Sequence, residues 1–209
     1  MIKNIFFPKN KKLFERFLFF FFSIYPIAFL VGNFAINLLV ITIFIIFFSI
    51  VVLNRIDLFK DNKFIISLLI FLFITLLINL YFSNNFYLSY PRVLKFILII
   101  FFVLSFRQLL KLYEYEEINK LYKIWSVIFL IVIIDLIFEL IFGRNILGFK
   151  SIIPGRLTSF TGKEMIIGHF FSAFSLIILS YFYLNFKNKY LNILIALSFI
   201  LLSFLIGER

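Results

Sequence analysis

Residues 34–53, with the sequence FAINLLVITIFIIFFSIVVL, contain no charged side chain. An α-helix rises about 1.5 Å per residue and the hydrocarbon core of a bilayer is about 30 Å thick, so a segment of this length is able to cross it. Similar apolar segments recur along the chain, and we interpret seven of them as membrane spans: residues 17–31, 34–53, 64–82, 90–106, 124–142, 165–186 and 190–206. The sequence therefore predicts an all-α fold, a polytopic transmembrane helix bundle.

The composition fits a chain whose main solvent is lipid. Of the 209 residues, 64% are hydrophobic and 22% aromatic, whereas roughly half the residues of a soluble domain are apolar. The segments between the spans are too short to build an aqueous core, so we predict a single transmembrane domain over residues 1–209. The chain has no cysteine, which excludes disulfides, thiolate metal sites and cysteine nucleophiles.

The first apolar segment follows a group of Lys and Arg side chains at residues 9–16, an arrangement that a signal peptide shares. No small-residue cleavage site follows it, and the second span begins directly after Gly32 and Asn33. We therefore favour a membrane helix in a tight hairpin that turns at Gly32-Asn33. Pro26 predicts a kink within this first span.

The basic residues indicate an orientation. The net charge of +11 is distributed between the spans rather than along one stripe, which is typical of membrane topology and not of nucleic-acid binding. Fourteen of the 21 Lys and Arg residues lie in the N-terminal segment and in loops 54–63, 107–123 and 187–189. The other seven are assigned to the opposite side: two at the start of the span 90–106, four in the loop 143–164, and Arg209. The positive-inside rule then places the N-terminus in the cytoplasm.

The longest predicted outer loop, residues 143–164, carries cations on the side where the positive-inside rule disfavours them. Arg156 and Lys163 lie near the predicted membrane boundary. Both are suited to charge-assisted hydrogen bonds with phosphate or carboxylate, and Arg is able to make two such bonds at once. The alternative is contact with lipid headgroups or pairing with Glu164.

Two carboxylates interrupt the fifth span. Asp135 and Glu139 are four residues apart, so they share one helix face, which we expect to point into the bundle. Ionisable groups inside a bilayer are costly and often mark function, such as a proton relay. The alternatives are a structural pair that holds neighbouring helices, or a Glu139 close enough to the interface to reach water.

Further polar residues lie near the predicted outer boundary. Glu164 and His169, five residues apart, form a second candidate cluster at the start of the sixth span. His169 is the only histidine, so it is not a metal site, and its alternatives are a polar contact between helices or a catalytic role. Arg209 follows the last span, where an interfacial anchor is the plainest interpretation.

Several of these residues belong to segments that carry a resemblance. DLIFELIFGRNILG at residues 135–148, followed by GRLTSFTGKE at residues 155–164 and then a helix, resembles the central outer segment of bacterial O-antigen ligase and O-antigen polymerase-like membrane proteins. PIAFLVG at residues 26–32 and GER at residues 207–209 are similar to the same family. The resemblance rests on the order and spacing of these segments.

The resemblance implies an enzyme of cell-surface polysaccharide assembly in the bacterial inner (plasma) membrane. It would move a glycan from a polyprenyl-pyrophosphate carrier to an acceptor glycan or to the lipid A core, without a cofactor or metal. Outer arginines of the family hold the pyrophosphate, which nominates Arg156 and Arg209. The acceptor hydroxyl also needs a general base. The predicted catalytic residues are Arg156, Arg209 and Glu164.

Two departures from the family pattern accompany the resemblance. Family members place important Arg and His residues in a large outer loop beyond the position of Arg209, so we expect this sequence to be the N-terminal part of a longer protein. Glu139 stands where relatives more often have Gln.

Other functional classes fit the same residues. In a transporter or a flippase component for lipid-linked glycans, Asp135 and Glu139 would be coupling carboxylates near the bilayer midplane. In a non-enzymatic membrane subunit, the charged outer loop would be a docking surface. Membrane lipids are predicted partners in every case.

Overall fold

A computed structural model describes residues 8–54, 58–151, 156–164, 166–186 and 188–206. These residues form α-helices and one short 3-10 helix, with no β-strand among them. The eight α-helices of this part of the chain are α1 Pro8–Ser23, α2 Tyr25–Val31, α3 Asn33–Asn54, α4 Leu58–Tyr81, α5 Phe86–Leu112, α6 Tyr115–Phe142, α7 Ile167–Asn185 and α8 Lys189–Ile206. The 3-10 helix, Ser159–Glu164, lies between α6 and α7.

The all-helical, multi-span prediction is confirmed. Among the described residues, six helices, α3 to α8, are long and apolar enough to cross a membrane, and the number rises to seven if α1 and α2 together form one bent span. The cytoplasmic N-terminus and the single transmembrane domain stay predictions.

The bend between α1 and α2 measures 46°. The break falls at Ile24, and Pro26 lies in the first turn of α2. Proline has no N–H to donate to the preceding turn, and its ring clashes with the carbonyl four residues earlier, so α1 cannot continue through this position. Gly32, with φ 125°, is the one residue between α2 and α3.

Two spans are longer than their apolar cores predict. We expected the fourth span at residues 90–106 and the fifth at residues 124–142, but α5 reaches Leu112 and α6 begins at Tyr115. Polar residues end the apolar run without ending the helix, because Lys, Arg, Gln and Glu are good helix formers. Only Tyr113 and Glu114 separate α5 from α6.

The chain divides into two compact units. The first contains the described residues of Met1–Phe22 and Leu38–Tyr113. Its core is rich in aromatic contacts, with the Phe22 ring centroid 5.3 Å from those of both Phe102 and Phe106. Lipid removes most of the hydrophobic driving force between helices, so close packing of this kind is what holds them together.

The second unit contains the described residues of Ser23–Asn37 and Glu114–Arg209, and it includes the candidate site. Its centre is Phe129 of α6, whose ring centroid lies 5.2 Å from that of Phe171 in α7 and 5.2 Å from that of Phe199 in α8. One turn earlier, Trp125 meets Phe174 edge-on at 5.5 Å. These contacts fix α6 against its neighbours and so determine where its last turns lie.

Candidate functional site

One face of α6 is buried from Leu121 to Glu139. Its buried apolar residues recur every three or four positions, which is the helical period: Leu121, Trp125, Phe129, Val132 and Leu136. Asp135 and Glu139 continue this face in the last two turns, and their exposed fractions are 0% and 3%. The same stripe that is apolar for four turns thus ends in two buried carboxylates.

Glu139 accepts hydrogen bonds from a segment 19 and 20 residues further along the chain. Its Oε2 accepts the backbone N–H of Thr158 at 2.9 Å and that of Ser159 at 2.7 Å. Its Oε1 accepts the Thr158 hydroxyl at 3.1 Å. Both carboxylate oxygens are therefore engaged by the returning loop.

Asp135 binds the loop at two separate places. Its Oδ1 accepts the backbone N–H of Ile146 at 2.7 Å, and its Oδ2 accepts the Ser159 hydroxyl at 2.6 Å. Ile146 follows α6 closely, whereas Ser159 begins the 3-10 helix. Asp135 thus joins the start of the loop to its end.

The chain leaves α6 through a glycine. Gly143 adopts a left-handed conformation with φ 68°, and its N–H binds the Glu139 carbonyl at 2.8 Å. A tight turn follows, in which the N–H of Gly148 binds the carbonyl of Asn145 at 2.8 Å. Glycine is favoured at such a helix end because an L side chain is strained there.

Asn145 is the third buried polar residue of the site, with 1% of its surface exposed. Its backbone N–H binds the carbonyl of Phe149 at 2.9 Å, and its Oδ1 accepts the N–H of Phe149 at 2.7 Å. Its Nδ2 donates to the carbonyl of Ser159 at 2.6 Å. One side chain therefore closes the turn and bonds the returning segment.

Ser159 is the point where these contacts meet. Its N–H binds Glu139, its hydroxyl binds Asp135 and its carbonyl accepts from Asn145. Its φ is 48°, a left-handed conformation that costs an L residue roughly 1–2 kcal/mol. Such strain persists only where surrounding contacts impose it, and here the three hydrogen bonds do so.

We call Asp135, Glu139, Asn145, Thr158 and Ser159 the polar clasp. The clasp satisfies the buried N–H donors of Thr158 and Ser159, which matters because a buried donor without a partner is costly. Thr158 also accepts hydrogen bonds at its carbonyl from the N–H and hydroxyl of Thr161, and it directly precedes the 3-10 helix. The clasp therefore determines the path of the loop on both sides.

Of the site residues predicted from the sequence, some belong to the polar clasp and others lie elsewhere. Asp135 and Glu139 are brought together, both buried as expected. Arg156 is partly buried and lies two residues before Thr158. Lys163 and Glu164 are at the end of the 3-10 helix, and Arg209 lies outside the described residues.

His169 lies on an exposed side of the first turn of α7, at one end of a groove between α7 and α8. The groove encloses about 700 Å³ and is mostly apolar, with the hydroxyls of Ser172, Ser175 and Ser203 along it. In the described part of the chain, no three His, Cys, Asp or Glu side chains are grouped as a metal site requires.

Sequence reasoning missed Asn145, Thr158 and Ser159. Their signal was present but weak: several small polar residues lie in a loop that follows a helix ending in two intramembrane carboxylates. Buried carboxylates need donors, and a loop is the nearest source of free backbone N–H groups. Comparison of the chain with protein-family models, with curated proteins and with solved structures finds no match. The clasp and the cations of its loop are therefore the grounds on which a function is proposed.

Proposed function

We propose that this protein belongs to the machinery of bacterial cell-surface polysaccharide assembly, as an O-antigen ligase or polymerase-like glycosyltransferase of the inner membrane. It transfers a glycan from a polyprenyl-pyrophosphate carrier to an acceptor hydroxyl on the outer side. One observation carries the proposal: the loop that contains Arg156 is tied to the end of a membrane helix by a buried polar clasp.

The reaction needs a fixed cation more than it needs a reactive side chain. The bond between the anomeric carbon and the pyrophosphate oxygen breaks, and the electron pair leaves with the pyrophosphate. The acceptor oxygen forms the new glycosidic bond and gives up its proton to a base. Negative charge grows on the leaving group, and donors held in place beforehand stabilise it most effectively.

Arg156 is suited to this role by its chemistry and its place in the chain. Its guanidinium is permanently charged and binds phosphate oxygens through two parallel hydrogen bonds. It lies two residues from the backbone N–H of Thr158, which Glu139 holds at 2.9 Å. A cation on such an anchored segment loses less conformational freedom on binding than one on a free loop.

The clasp geometry supports transport less well. Coupling carboxylates of a transporter lie near the bilayer midplane and must be reached by the substrate or ion. Asp135 and Glu139 lie in the last two turns of α6, and all four of their oxygens accept hydrogen bonds from the loop. Both carboxylates are buried.

The test is transfer by membrane vesicles that contain the protein. Polyprenyl-pyrophosphate-linked, radiolabelled oligosaccharide is the donor, lipid A core is the acceptor, and labelled acceptor is the product. Arg156→Ala should lower the rate about 100-fold, the loss typical of removing one donor to a developing negative charge. Arg144→Ala, which removes an exposed arginine of the same loop, is the matched control and should stay within twofold.

Membrane insertion of each variant is compared by quantifying the protein in washed vesicles. If the wild-type full-length protein transfers no label, the proposed function is wrong. If Arg156→Ala and Arg144→Ala are equally active, Arg156 does not hold the leaving group.

A further inference from the structure

We infer that Asp135 and Glu139 are positioning residues that act through Arg156, and that they work as hydrogen-bond acceptors rather than as acids, bases or coupling groups. This inference rests on the proposed function and deepens it. Carboxylates inside a membrane span would suggest proton chemistry, but here their role is to hold the loop in place.

The donors facing Glu139 support this assignment. Two of the three are backbone N–H groups, which only donate, and both point at Oε2. The third is the Thr158 hydroxyl at Oε1, which is able to donate or to accept. A glutamine at this position fits the same pattern, with its oxygen toward the two N–H groups and its amide nitrogen donating to the Thr158 hydroxyl.

The same reasoning applies to Asp135. The Ile146 N–H at Oδ1 only donates, whereas the Ser159 hydroxyl at Oδ2 is able to reverse its role. An asparagine keeps both contacts. The clasp therefore requires an oxygen at one defined place on each side chain, and it does not require a negative charge or a proton that can be exchanged.

The connection to Arg156 follows from chain length. Two residues of fully extended backbone span at most about 7 Å, so the anchored N–H of Thr158 confines Arg156 to a small region. Without Glu139, the loop loses two fixed backbone points, the N–H groups of Thr158 and Ser159. The guanidinium then has to be ordered when the donor binds, which reduces its effect on the reaction.

Hydrogen exchange of the peptide that contains Thr158 and Ser159 measures the clasp without reference to any activity. In the protein in detergent, Glu139→Ala should raise the exchange rate of these amides at least tenfold. Glu139→Gln should leave it within threefold of wild type. Asp135→Asn is the second conservative variant and should also keep protection, so the test does not depend on one substitution.

Transfer rates in the vesicle assay measure the action through Arg156. Glu139→Ala should lower transfer at least tenfold, Glu139→Gln should restore at least half of the wild-type rate, and Glu139→Ala combined with Arg156→Ala should be no slower than Arg156→Ala alone. Non-additivity of this kind indicates two residues that act as one unit, and a general loss of stability would not produce it.

The outcomes separate the two ideas. A Glu139→Gln protein that keeps amide protection but loses transfer would overturn the inference and leave the transferase standing, since the carboxylate itself would then be needed. A Glu139→Ala protein that loses protection but transfers normally would overturn the positioning role. Wild-type protein with protected amides and no transfer would reject the proposed function, and the positioning role with it.

Discussion

Ser159 allows the strain in the polar clasp to be measured with two substitutions. Ser159→Ala and Ser159→Gly both remove the hydroxyl that donates to Asp135 at 2.6 Å. Leaving that buried acceptor without its donor costs about 1–3 kcal/mol in either protein. The two variants differ in the backbone, because alanine at φ 48° keeps the left-handed strain and glycine does not.

The expected difference is small but has an unusual sign. Left-handed conformation costs an L residue roughly 1–2 kcal/mol, whereas glycine loses about 0.5–1 kcal/mol more than alanine in backbone entropy on folding. The glycine protein should therefore be more stable than the alanine protein by about 1 kcal/mol, which reverses the order found in helices.

Trp125 provides the assay. It is the only tryptophan in the chain, it is 3% exposed, and it packs in the same unit as the clasp. Its fluorescence during titration of mixed micelles with sodium dodecyl sulfate follows the unfolding of this unit. The matched control is Ser198 in α8, an exposed helical serine, where alanine should exceed glycine by about 1 kcal/mol.

If Ser159→Ala is as stable as Ser159→Gly or more so, while Ser198 shows the ordinary order, the reasoning about strain is wrong. The left-handed conformation of Ser159 would then not be imposed by the three hydrogen bonds of the folded loop.

Two further predictions concern the clasp and the topology. Asn145→Asp should destabilise the protein by about 3 kcal/mol, because it removes the donor to the Ser159 carbonyl and adds a third carboxylate to a buried site that already contains two. The Trp125 titration measures this change in stability, and wild-type stability would contradict the prediction. Because the chain contains no cysteine, single cysteines at Glu116 and Arg144 should react with an impermeant maleimide from opposite sides, the cytoplasmic and the outer. A cysteine at Asn4 should react on the side of Glu116 if α1 and α2 form one span, and reaction on the side of Arg144 would instead leave six crossings.

Much of the architecture follows from local patterns. Apolar segments of bilayer length predict helices wherever they occur, because a chain in lipid must satisfy its backbone groups internally. Pro26 predicts a break near its position, and α1 ends at Ser23, three residues before this proline. The helix limits were less predictable: α5 and α6 continue into polar residues, since helix propensity does not depend on hydropathy.

The sequence predicted only part of the candidate site. The four-residue spacing of Asp135 and Glu139 determines that they share a helix face, and their cost in lipid predicts that this face is buried. The spacing does not predict their hydrogen-bond partners, which lie 11 to 24 residues further along the chain. In the sequence, Ser159 cannot be distinguished from an exposed loop serine, because its buried contacts form only when the loop returns to α6.

The sequence by itself therefore determined that this protein is a helical membrane protein with two carboxylates on one helix face at the end of one span. It did so because hydropathy and helical period are properties of neighbouring residues. Only the tertiary structure decided what the carboxylates bind, since the donors arrive through the turn at Gly143 and Asn145 and the return of the loop to α6. The left-handed conformation of Ser159 has the same origin, because contacts from Asp135, Glu139 and Asn145 impose a backbone conformation that serine does not adopt by preference.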